Sequence, residues 1–263
     1  MAATIDAELR RAVAAAAAGG DASRLSALLD GCGGGDALDD LVDALSEHAL
    51  QDGVPCELTP LMAAAAGAHA PTMRVLMQRG ASATAGDGRG RTAAHEAAVA
   101  DDPAAACLAL LAQAVTEREP EAEPAVPAQA VPRIGPATIR LLTAKAKGGV
   151  QPLHAAAEAG RAGNVQFLIG ALGGSDNGSE GAAALVAAVK GGWTAAHFAA
   201  TNGHAQCLSL LCEQDALPVC AARACFLNHA GRLLSVSAYP NTRINLTRAH
   251  GVCAAAGAEK RLR

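Results

Sequence analysis

The chain has 263 residues and a formal charge of −4 at pH 7; 51% of it is hydrophobic, yet only 2% is aromatic. Small side chains must therefore fill a large core, which favours helices packed backbone-close and excludes a sandwich with a bulky interior. The charge balance excludes the strongly basic footprint of a general nucleic-acid binder.

At the N-terminus, MAATIDAELR carries acids early and has no long apolar stretch after a basic start, so no export signal is read there. No uncharged apolar run reaches the ~18 residues of a membrane span. The eight cysteines are not needed as staples in a chain this long. These features predict an intracellular protein, cytoplasmic or nuclear, with reduced thiols. Within residues 1–34, RRAVAAAAAGGDASRLSALL sets Gly20, Leu25, Leu28 and Leu29 in the register of two short helices. Residues 35–52 then read as an extra amphipathic helix and linker. Leu38, Leu41, Val42 and Leu45 fall at helical spacing, with Asp36 placed as N-cap.

From residue 53 to 215 one cadence recurs. TPLMAAAAGAHAPTMRVLM starts at Thr59, TAAHEAAVADDPAAACLALL at Thr92, QPLHAAAEAGRAGNVQFLI at Gln151 and TAAHFAATNGHAQCLSLL at Thr194. Thr59, Thr92 and Thr194 stand where a helix N-cap belongs. Pro60 and Pro152 stand at the first helical position, where a missing N–H costs nothing. An Ala-rich first helix follows, and Gly160 and Gly203 sit where it must stop at positive φ. A second helix is marked by Met73, Leu76 and Met77, by Val165, Leu168 and Ile169, and by Leu208, Leu211 and Cys212.

By these residues the chain resembles the ankyrin-repeat family, whose pattern is TPLHxAAxxGHxxxVxxLL, and Thr59 and Thr92 lie 33 residues apart, the ankyrin period. The resemblance implies an all-α solenoid of four to five stacked repeats, with residues 1–34 a degenerate capping repeat. The spacing then departs from the pattern: Gln151 lies 59 residues after Thr92, and Thr194 lies 43 after Gln151. Insertions in loops are expected. One is a flexible Pro/Glu/Ala stretch at about 115–136, and a shorter one falls around Asp101, Asp102 and Pro103. After Pro136, ATIRLLTAKAK looks like a stray second helix. Residues 216–263 read as an irregular tail.

The resemblance implies that His95, His154 and His197 tie the N-cap hydroxyl and neighbouring backbone together across repeats. A catalytic or metal role is the alternative reading. Cys107 and Cys207 occupy equivalent sites in second helices and read as small hydrophobes, since no oxyanion donors or acid pair accompany them. GCGGG at Gly31–Gly35 lacks the Lys-Ser/Thr of a phosphate-binding loop.

Cys212, Cys220, Cys225 and His229 have the spacing of a CCCH zinc finger that would bind RNA. Clustered basic and aromatic residues to support that reading are missing. The expected function is therefore non-catalytic. It needs no cofactor and no small-molecule substrate, and nucleic acid is disfavoured as a ligand. The resemblance implies a protein partner bound along the groove of fingers and first helices. The residues expected to meet it are Arg89, Arg91, Glu158, Trp193 and Asn202. Trp193 could instead pack over the adjacent finger, and Glu158 and Asn202 could simply be solvated.

Overall fold

The computed structural model describes residues 2–31, 41–44, 46–49, 55–102, 105–116, 135–173, 183, 187, 189 and 192–213. Its elements run α1 (Ala2–Ala18), α2 (Ala22–Asp30), β1 (Ser46–Ala49), β2 (Pro55–Leu58), α3 (Pro60–Ala66), α4 (Ala70–Gln78), α5 (Ala93–Val99), α6 (Ala106–Thr116), α7 (Pro136–Leu142), α8 (Pro152–Ala159), α9 (Ala162–Leu172), α10 (Ala195–Asn202) and α11 (Ala205–Glu213).

The helices form two columns. First helices α1, α3, α5, α8 and α10 pack each on the next, and second helices α2, α4, α6, α9 and α11 form the layer behind them. This is an all-α solenoid of five two-helix units. Each unit alone would leave its apolar side wet, so the core is one continuous cluster from Val13 to Leu211. Alanines dominate where first helices meet: Ala64, Ala94, Ala156 and Ala199 are fully buried. The near-absence of aromatics is thus the sequence expression of close helix approach.

Helix α7 lies against α6 and also touches α9, and the Thr138 hydroxyl donates to the Ala112 carbonyl (3.3 Å). Because α5 packs directly on α8, no unit is missing between them. Helix α7 is an addition to the second-helix layer at the point where the chain returns from its insertion.

The extra helix and linker expected over 35–52 need correction. Leu41 and Val42 are helical and buried, but Ser46–Ala49 is a strand paired antiparallel with Pro55–Leu58, Ser46 opposite Leu58. The finger leading into Thr59 is therefore a long hairpin. The tail at 216–263, most of the 115–136 stretch, and Leu38, Leu45, Cys220, Cys225 and His229 lie outside the described residues, as does the side chain of Cys212. Among the described residues, no helix is long and apolar enough to cross a membrane.

Two sets of contacts lock unit to unit. In the first, His95 Nδ1 accepts from the Thr92 amide (3.1 Å), and its Nε2 donates to the Val150 carbonyl of the next finger (3.1 Å). His154 repeats this with the Gln151 amide (3.3 Å) and the Ala187 carbonyl (3.0 Å). The amide donor fixes Nδ1 as acceptor, so each ring is the neutral Nε2–H tautomer. Met62 stands at this position in the second unit, and there Thr59 Oγ1 itself accepts from the Met62 amide (3.2 Å).

In the second set, a side chain reaches back to cap the preceding first helix. His69 donates to the Ala18 carbonyl (3.1 Å), Arg161 to Val99 (2.9 Å) and His204 to Glu158 (2.9 Å). These bonds satisfy carbonyls that a helix end leaves orphaned. Asn164, fully buried, adds bonds to the Ala97 and Ala98 carbonyls (both 3.0 Å).

Candidate functional site: the finger and first-helix face

Three fingers share one turn. Asp87 and Arg91, Ala146 and Val150, and Val189 and Trp193 are joined by amide-to-carbonyl bonds of 2.9, 2.8 and 2.9 Å. Each is tightened by a return bond from a glycine: Gly90 to Asp87 (2.8 Å), Gly149 to Ala146 (2.9 Å) and Gly192 to Val189 (3.0 Å). All three glycines have positive φ, the conformation that only a residue without Cβ adopts freely. Arg91, Val150 and Trp193 thus occupy one structural position, immediately before the N-caps Thr92, Gln151 and Thr194.

Trp193 is half-buried. Its ring lies 5.5 Å from that of Phe198 and 6.2 Å from that of His197, and Phe198 in turn meets His154 of the preceding unit in a T-shaped contact (6.0 Å). Trp193 thus packs on its own first helix rather than over the adjacent finger, and it keeps a solvent-facing side. Phe198 was not singled out in the sequence. Its place directly after the repeat histidine, shared with Ala63, Glu96 and Ala155, was the available signal.

Arg91 is not a free cation on this face. Its Nε pairs with Asp87 (2.9 Å) and its Nη1 with Glu96 (3.0 Å), and its side chain is 24% exposed, against 4% for Asp87 and 8% for Glu96. Burial holds the Glu96 carboxyl above its usual range, with Arg91 opposing and Asp87 reinforcing the rise. Asp87 also accepts from the Arg89 and Arg91 amides (2.9 and 2.7 Å), so the carboxylate builds the finger as well as anchoring Arg91. Arg89, by contrast, is exposed.

Glu158 and Asn202 lie at the far ends of α8 and α10 and are exposed. The Asn202 side-chain amide donates to the Glu158 carbonyl (2.9 Å), the same carbonyl that His204 caps. The structure therefore brings these two residues together, but well along the first helices from Trp193. Val99, at the position of Glu158 in the register, is 42% exposed and gives the middle of the face an apolar spot.

Burial pushes His95, His154 and His197 below the ordinary histidine value, in His95 against the Val150 bond and in His154 against the Ala187 bond. Burial, with Asp102 beside it, pushes the Cys107 thiol up to about 12, and burial also raises Cys207. Neither thiol is activated, because the thiolate is the nucleophilic form. Among the described residues, no group of three or more His, Cys, Asp or Glu side chains is placed to hold a metal ion.

A family model described as ankyrin repeats (3 copies) matches residues 129–222, a stretch that contains α7 to α11. No curated protein matches the chain.

Proposed function

We propose that this chain, whose residues 129–222 match ankyrin repeats, is a docking protein without catalytic activity, since such repeats are generally protein-interaction modules. Its partner is a protein held along the finger and first-helix face. The observation that carries this reading is the half-buried Trp193–Phe198 pair, mounted on a finger of fixed geometry. Tryptophan on a preorganised support is the commonest kind of interface anchor, and little ordering entropy is lost when it is used. Arg89 on its finger, and Val99 and Glu158 further along the first helices, add exposed contacts. Arg91 and Asn202 act in this reading mainly as supports for the surface.

The free, buried thiols of Cys107 and Cys207 are consistent with a reducing compartment inside the cell.

The test is site-specific photo-crosslinking in cells. A benzophenone amino acid at Trp193 is expected to capture one or a few discrete proteins. The same probe at Gln166, exposed on the second helix α9, is expected to capture none of them. Capture of the same set only from Gln166 would move the docking face to the opposite side of the stack.

A further inference from the structure

We propose that the Asp87–Arg91 and Ala146–Val150 fingers form a cationic ridge that receives an acidic, extended segment of the partner protein. This rests on the docking function above and names the chemistry of its ligand. Arg89, Lys145 and Lys147 are all exposed. They issue from a single cross-finger contact: the Lys147 amide donates to the Arg89 carbonyl (2.8 Å). Gly90, at φ +73°, turns the finger beside that contact, and a Cβ there would lie at ordinary contact distance from Ala146 Cα (3.6 Å). Three positive charges are thus held close together on fixed backbone.

Within residues 86–91 and 144–150 the only acid is Asp87. Its carboxylate is 4% exposed and is spent on Arg91 and on the turn amides. The fingers therefore do not neutralise their own ridge. In a chain whose net charge is −4, the ridge is a local reversal of sign. Such a reversal attracts an acidic ligand and orients it as it arrives. Gly88 and Gly148 have open space where a side chain would be, so a ligand main chain can come close to the tips. A short acidic peptide fits this better than a nucleic acid: three cations neutralise few phosphates, and the remaining negative charge repels a long polyanion. The neighbouring Trp193–Phe198 pair offers an apolar seat at the end of the ridge.

The experiment uses a fluorescein-labelled peptide of about a dozen residues, rich in glutamate with a central leucine pair, read by anisotropy against the full chain. Controls are the same peptide with lysine for glutamate and a single-stranded oligothymidylate of similar length. The glutamate peptide is expected to bind, more weakly as salt rises, and better than either control. The variant Arg89→Ala, Lys145→Ala, Lys147→Ala is expected to lose about tenfold or more in affinity with an unchanged melting temperature. Equal binding by wild type and variant, or tighter binding of the oligothymidylate, overturns the ridge. If the proteins captured at Trp193 are recovered equally by wild type and variant, the ridge falls while the docking reading stands. If Trp193 captures nothing, the docking reading falls as well.

Discussion

The imidazole of His204 fills the space that a side chain on Gly160 would need: a Cβ built there would lie 2.5 Å from His204 Nδ1. Gly160 also has φ +73°, so it is held as glycine by its backbone and by the next unit together. Gly203 has nearly the same backbone, φ +77°, with nothing within 4 Å of the same point. The pair separates the two effects. Gly203→Ala should cost only the left-handed penalty, about 1 kcal/mol. Gly160→Ala should cost about 2–4 kcal/mol, because the ring must move and its bond to the Glu158 carbonyl is lost. Urea denaturation of the two variants checks the difference.

Ala68 occupies the left-handed position (φ 57°) that Gly160 and Gly203 fill in their units. Ala68→Gly should therefore stabilise the chain by about 0.5–1 kcal/mol, since relief of the Cβ penalty outweighs the added freedom of the unfolded chain. A rise in melting temperature is the expected reading.

Burial lowers the pKa of His95, His154 and His197 in the folded chain. The unfolded chain therefore takes up protons first as pH falls. Stability from these rings is fully present above about 6.5 and declines as pH drops from there towards the lowered folded values. Glu96 works in the opposite sense. Its raised pKa contributes stability that is present below about 4.5 and lost as pH rises through the folded value. Unfolding free energy measured from pH 7.5 to 5.5 should fall with decreasing pH, and His154→Gln should flatten the slope.

Arg91 and Arg89 sit two residues apart but should respond differently. Arg91→Ala removes the cation from two nearly buried carboxylates, Asp87 and Glu96, and should destabilise by about 1–3 kcal/mol. Arg89→Ala should leave the melting temperature unchanged, because its side chain is exposed. Thermal denaturation separates the supporting arginine from the surface one.

The repeat itself was legible because it is written in residues with local consequences. Threonine before an Ala-rich turn caps a helix, and glycine after it ends one, whatever the neighbours do. The lateral bonds were not legible. Nothing near His69 or Arg161 in sequence names Ala18 or Val99 as the carbonyl it will meet, 51 and 62 residues away. The hairpin at Ser46–Leu58 was missed for a related reason. Neither SEHA nor PCEL holds a β-branched or aromatic residue, so its strands do not declare themselves by propensity. On the face, Trp193 was visible as a lone large aromatic, whereas the partnership that ties Arg91 to Glu96 appears only once the finger folds against α5.

The two sets of lateral bonds point in opposite directions along the row: His95 and His154 give forward to the following finger, while His69, Arg161 and His204 give back to the preceding helix. Among the described residues the fourth unit is therefore clasped from both sides, whereas neither set bridges the second and third units. Under tension applied to its two termini, such a chain should part first at that unbridged seam, where neither set reinforces the packing. The third to fifth units, doubly bridged from Val99 to His204, should be the last block to lose its shape.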